Sequence, residues 1–208
     1  MTGGSAFSTA CTLTGVWDIL SMAVKECRIY IPHVQEEGDH TEEYQSLYHE
    51  FMLKCFERHP YMWSTHVWNM FDFAAGARDQ GGEPGMNHKG LMTFDRKVKK
   101  DSFYIYKAYW SKEPFVHLCG SRYVDRTEAV TTVKVYSNQT KVALYANGKL
   151  LEEKTGNKVF EFRVPLNGEV RLEAVSGQAK DTSTIRRVSQ PNPDYKLKKS
   201  KGKSQNWV

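Results

Sequence analysis

The stretch KVALYANGKLLEE, residues 141–153, decides how the second half of this chain folds. Apolar and polar residues alternate at period two on either side of Asn147-Gly148, the pattern of two half-buried strands. A two-residue type I′ turn needs positive φ at both central positions, and Asn-Gly supplies that at low steric cost. The same alternation recurs upstream in AVTTVKVYSN (129–138) and downstream in KVFEFRVPLNGEVRLEAV (158–175) and TSTIRRV (182–188). Asn167-Gly168 reads as a second hairpin turn of the same kind. Short antiparallel strands at this spacing predict an immunoglobulin-like β-sandwich over residues 114–188.

The rhythm before Pro114 is different. In GDHTEEYQSLYHEFMLKCFERHP (38–60), Tyr44, Leu47, Tyr48, Phe51, Met52 and Cys55 follow helical spacing and predict a helix from about Thr41 to Arg58 with that face buried. Asp39 and Glu42 suit its start, and Pro60 stops it. The aromatic run that follows predicts a buried strand near Thr65 to Met70. A glycine-rich loop over 77–87 and a second helix from about Lys99 to Tyr109, opened by Asp101, complete an α/β layer. The division expected is an N-terminal segment of unassigned role (1–40), the α/β part (41–113), the sandwich (114–188) and a basic tail (189–208).

The chain has 208 residues, 40% apolar and 12% aromatic, enough for a substantial core. No window offers the eighteen or so uninterrupted apolar residues of a membrane-spanning helix, and no basic stretch precedes the mildly apolar N-terminus. The net charge of +5 is concentrated in the last twenty residues, where five lysines face one acid, so the body is near neutral. A solvated tail explains that charge better than a nucleic-acid interface does. Cys11, Cys27, Cys55 and Cys119 form no paired motif, and the seven histidines share no ligand-like spacing. Reduced, mostly buried thiols and no metal site are expected.

HVWNMFDF (66–73) followed by GMNHKGLMTFDRK (85–97) holds the residues that could carry function. Trp68 offers a flat apolar face with one N–H, suited to stacking on a sugar ring, and Asn69 offers a donor and an acceptor to hydroxyls. Asn87 and Lys89 place an amide and an ammonium two residues apart on a loop, a pattern that can hold a carboxylate or several hydroxyls. The alternative is that Trp68, Phe71 and Phe73 are core aromatics, Asn69 caps the loop, and NHKG is an ordinary polar turn.

The landmarks EEYQ and YHE (42–50), VWNMFDF (67–73), and NHKGL through DRKVKKDSFYIYKAYW (87–110), then SKEP, occur in the order seen at the C-terminal end of the catalytic barrel of family 2 glycoside hydrolases. The run resembles the bacterial β-galactosidase type. RTEAVTTVKVYSN and LYANGK resemble the immunoglobulin-like domain that follows that barrel. The resemblance implies a C-terminal remnant of a (β/α)8 TIM barrel joined to a β-sandwich, and retaining hydrolysis of terminal β-galactosides. It implies Trp68 and Asn69 as a sugar platform and Asn87 and Lys89 at the border of the pocket. An Asn-x-Lys pattern also occurs in uronate-specific members, so a β-glucuronidase-like hydrolase is the alternative. A non-catalytic carbohydrate-binding or scaffolding module is the alternative of another class.

Retaining hydrolysis requires two glutamates about 5–5.5 Å apart. The chain contains no Asn-Glu dipeptide, the family's setting for the acid/base, and Glu26 falls near the nucleophile's place without the small residues expected after it. The chain therefore reads as a fragment, inactive alone, whose partners are a terminal β-linked sugar and missing barrel and downstream domains. No cofactor, nucleic acid or membrane is expected, and the resemblance points to bacterial cytoplasm or periplasm.

Overall fold

The computed structural model describes residues 42–76 and 85–193. The chain order is helix α1 (Glu42–Arg58), short strands β1 (Phe73–Ala74) and β2 (Met86–Asn87), helix α2 (Asp101–Trp110), then eight strands. These are β3 (Val116–Leu118), β4 (Asp125–Arg126), β5 (Val130–Ser137), β6 (Lys141–Ala146), β7 (Lys149–Thr155), β8 (Lys158–Pro165), β9 (Glu169–Ser176) and β10 (Ala179–Arg187).

The eight strands form a sandwich. One sheet has the order β4-β10-β9-β6-β7 and the other β3-β5-β8. Pairing is antiparallel except where β4 runs parallel to β10. Alternate residues turn inward as the pleat requires: Val133 and Val135 on β5, Phe160, Phe162 and Val164 on β8, and Val170, Leu172 and Ala174 on β9 are buried in one cluster. The Asn147-Gly148 turn forms as expected, with φ of 50° and 77°, and Asn147 bonds β9 through both its backbone N–H and its side-chain oxygen.

Asn167-Gly168 is not a hairpin. β8 pairs with β5 while β9 pairs with β10 and β6, so the connection crosses from one sheet to the other. The apolar series Phe162, Val164, Leu166, Val170 and Leu172 is buried throughout, with β8 and β9 facing each other across one core.

The three-stranded sheet is covered on both sides. Its outer face carries Tyr136 and Val159 against a second core of Leu53, Leu91, Ile105 and Tyr106. Polar contacts tie the same layers: Glu50 accepts from Lys134 Nζ at 2.7 Å and from the Tyr136 hydroxyl. Glu42 accepts from the N–H of Asp101 at 2.7 Å, satisfying a free donor at the start of α2, and pairs with Arg122.

Two expectations for the first half are corrected. Helix α1 buries Ser46, His49, Glu50, Met52 and Leu53, while Tyr44, Leu47, Tyr48, Phe51 and Cys55 are only half-buried. The buried face carries Glu50, which accepts hydrogen bonds from the sandwich, and His49, which bonds Tyr106 of α2; spacing of apolar residues does not register these. The strand expected at 65–70 is absent: backbone pairing begins at Asn69, and residues 62–67 have no strand partner among the described residues. Asp39 and the other residues of the 1–40 segment lie outside the described residues. The second helix lies within one or two residues of its expected ends.

Candidate functional site

The residues from Asn69 to Ala75 are stitched twice to a returning loop. Leu91 N–H donates to the Asn69 carbonyl at 3.0 Å, Met92 N–H to Met70 at 3.0 Å, and Asp72 N–H to Met92 at 2.9 Å. Farther on, Phe73 pairs with Asn87 and Ala74 with Met86. The segment Asn87 to Leu91 therefore leaves this strand and returns to it, arching over Asp72.

The arch is pinned from inside. Asp72, 5% exposed, accepts the Gly90 N–H at 2.8 Å and the Lys100 ammonium at 2.7 Å on one oxygen. Lys100, itself buried, also donates to the His88 carbonyl at 2.9 Å. Gln45 reaches from α1 to the carbonyls of Lys89 and Gly90 at 3.2 and 3.0 Å. Gly90 is obligatory, because a Cβ there would lie 2.1 Å from the backbone nitrogen of Asp72 and 2.2 Å from the carbonyl carbon of Phe71.

Each predicted sugar-binding residue has a definite place in this frame. Trp68 is 62% exposed, so it is not a core aromatic. Its ring meets Phe73 edge-on with centroids 6.1 Å apart, and Phe73 is the backbone partner of Asn87. Asn69 follows Trp68 through a cis peptide bond, and its side-chain oxygen turns to the N–H of Met70. It thus stands at the start of the paired segment, where the expectation had it at a strand's end. Asn87 is buried, and its side-chain oxygen accepts the Lys89 N–H at 3.0 Å, an Asx turn that shapes the loop. Lys89 is half-buried, with N–H and carbonyl both fixed, at the crest of the arch. Trp68 is thus linked through Phe73 to Asn87, and Asn87 to Lys89, while Asn69 lies next to Trp68 in the chain. Glu26 lies outside the described residues.

Asp72, Lys100 and Gln45 were not picked out from sequence. The available signal was the acid in MFDF: a carboxylate inside an aromatic run must find a cation or donors once buried.

Two other clusters have different characters. Asp101, His117 and Cys119 bring an oxygen, a nitrogen and a sulfur within 4.8 Å of one another. His117 Nε2 already bonds Asp101 at 2.9 Å and its Nδ1 lies 3.4 Å from Asp181, while the second Asp101 oxygen accepts the Gly120 N–H. Tyr104 stacks on the imidazole at 3.6 Å between centroids. This is an ionic joint between α2 and the sandwich. An open cleft of 420 Å³ between α1 and the β7–β8 connection, lined by Glu50, Lys54 and Lys154 among others, touches none of the four candidate sugar-binding residues.

No protein-family model matches the chain. A β-glucuronidase of Bacteroides fragilis is 44% identical over 110 residues, which are 52% of this chain and 16% of that protein. The crystal structure of an FMN-binding β-glucuronidase from Faecalibacterium prausnitzii L2-6 superposes with a TM-score of 0.74 at 50% identity, covering 76% of this chain and 25% of that one. A Bacteroides fragilis structure described provisionally as a β-galactosidase gives 0.67 at 39% identity, covering 73% of this chain and 24% of that one. The chain thus spans a quarter or less of the length of each of these relatives.

Proposed function

We propose that this chain is the sugar-recognising C-terminal part of a retaining β-glycosidase and that its sugar is a β-D-glucuronide. In this reading residues 42–113 are the last elements of a (β/α)8 barrel, residues 114–188 are the sandwich behind it, and the glutamate pair belongs to barrel segments beyond this chain. Trp68 carries the apolar face of the sugar ring. Lys89 meets the C6 carboxylate, and the Asx turn of Asn87 fixes the angle from which it does so.

The observation that carries the reading is the pinned arch that bears Lys89, joined through the Asn87–Phe73 pairing to an exposed tryptophan that meets Phe73 edge-on. A flexible surface lysine contributes little to selectivity because ordering it costs side-chain entropy. A lysine whose backbone is fixed at both N–H and carbonyl has only its side chain left to order when the ligand arrives. Glucuronate and galactose both present hydroxyls, and only glucuronate presents an anion. The similarity to proteins named β-glucuronidases supports the same choice.

The test is a titration of the 15N-labelled chain with D-glucuronate and, separately, D-galactose, read at the Trp68 indole N–H and the Lys89 amide. Saturable shifts at both positions with glucuronate, and weaker ones with galactose, are expected. Equal responses to both sugars would return the reading to a galactosidase-like site.

A further inference from the structure

We infer that the buried pair Asp72–Lys100 is the positioning device for Lys89, and so a determinant of sugar affinity although neither residue reaches the sugar. This rests on the reading of Lys89 as the carboxylate-binding residue. Asp72 and Lys100 hold the backbone on either side of Lys89 in sequence: Asp72 accepts from the Gly90 N–H, and Lys100 donates to the His88 carbonyl. The residue between those two anchors is Lys89. Gln45, on α1, fixes the carbonyl of Lys89 itself.

Charge neutralisation needs only the ion pair, which Asp72 and Lys100 complete at 2.7 Å, with the His88 ring 3.7 Å from the other Asp72 oxygen. The bonds to His88 and Gly90 add nothing to that neutralisation. They set the height and tilt of the loop, and they leave no slack because Gly90 is packed directly on the strand backbone. The order of events is local: the charge of Asp72 orients Lys100, Lys100 holds His88, and the Lys89 ammonium is delivered to one place. Such supporting contacts decide whether a recognition group is held closely enough to act.

Two variants of the full chain separate positioning from stability. Lys100→Met removes both ammonium bonds and strands a buried carboxylate, so thermal stability and glucuronate affinity should both fall. Adding Asp72→Asn removes the stranded charge while keeping an acceptor for Gly90. Stability should then recover, but the Lys100 bond to the His88 carbonyl is still missing. We expect affinity to stay about tenfold below the parent, the equivalent of one lost charge-assisted bond, with faster amide exchange at Lys89 and Gly90.

If affinity returns together with stability, the pair is structural and the inference is wrong. If the parent chain binds neither sugar, the substrate reading fails on its own, and amide exchange decides the positioning claim. Unchanged protection of Lys89 and Gly90 in the double variant would overturn it.

Discussion

His49 sits on the buried face of α1 with its Nδ1 2.9 Å from the Tyr106 hydroxyl. Burial, reinforced by the nearby charge of Lys100, lowers its pKa from 6.5 to about 4. The ring is neutral in the fold, so the unfolded chain takes up a proton first as pH falls. Stability present above pH 6.5 is therefore lost between pH 6.5 and 4, by about 3–4 kcal/mol in total at about 1.4 kcal/mol per pH unit. Urea unfolding across that window should show this loss, and His49→Phe should remove most of it. An unchanged acid slope in the variant would assign the loss to other groups. Asp72 and Lys100 follow a related logic: breaking a buried pair by deleting one partner costs about 3–5 kcal/mol because the other charge is left without compensation.

Helix α2 and strand β3 meet through His117. Burial opposes the charged ring, but hydrogen bonds and charge from Asp101 and Asp181 overcome it and hold the pKa above its ordinary value. Asp181 is correspondingly lowered despite its own burial, by His117 and by the N–H of Leu118. The imidazolium's contribution is complete below about pH 6.5 and is lost as pH rises through the raised folded value. A melting temperature that declines on the alkaline side in the parent and stays flatter in His117→Gln is expected. Parallel curves would show that this joint carries no linkage.

The same scale shows what the sequence made legible. Period-two alternation located strands such as β5, β8 and β9 because each has one buried face, whereas β7 is exposed along almost its whole length and was located by Asn147-Gly148, whose turn backbone demands those residues. The sheet assignment of β8 and β9 was not legible, since a loop that turns back within a sheet and one that crosses between sheets share composition. Nor was the packed face of α1, where Glu50 and His49 are drawn inward by Lys134, Tyr136 and Tyr106 from distant parts of the chain. At the site, residue type left Trp68 open between sugar platform and core aromatic and Lys89 between ligand and ordinary turn, and the family resemblance singled them out. Asp72, Lys100 and Gln45 could not be named, because their meaning lies in which backbone groups they hold.

On the scale of the whole molecule, the two halves are exposed very differently. The sandwich closes over its core, whereas the segment after α1 leaves Tyr61 and Trp63 80% and 85% exposed, with Trp68 and Met70 exposed a few residues farther along. Exposed apolar side chains of this kind are what the remaining barrel elements would cover in the proposed enzyme. The sandwich braces the arch indirectly: Glu50 fixes α1 to β5, and α1 presents Gln45 to the loop. The central claim is that this unit supplies sugar recognition to a β-glycosidase. The most direct measurement replaces the matching segment of the Bacteroides fragilis β-glucuronidase with residues 42–193 of this chain and follows hydrolysis of p-nitrophenyl β-D-glucuronide and β-D-galactoside. The account predicts a chimera that hydrolyses the glucuronide and loses that activity, while remaining folded, on Lys89→Ala. A folded chimera that cleaves neither substrate, or whose glucuronide activity is indifferent to Lys89, would contradict it.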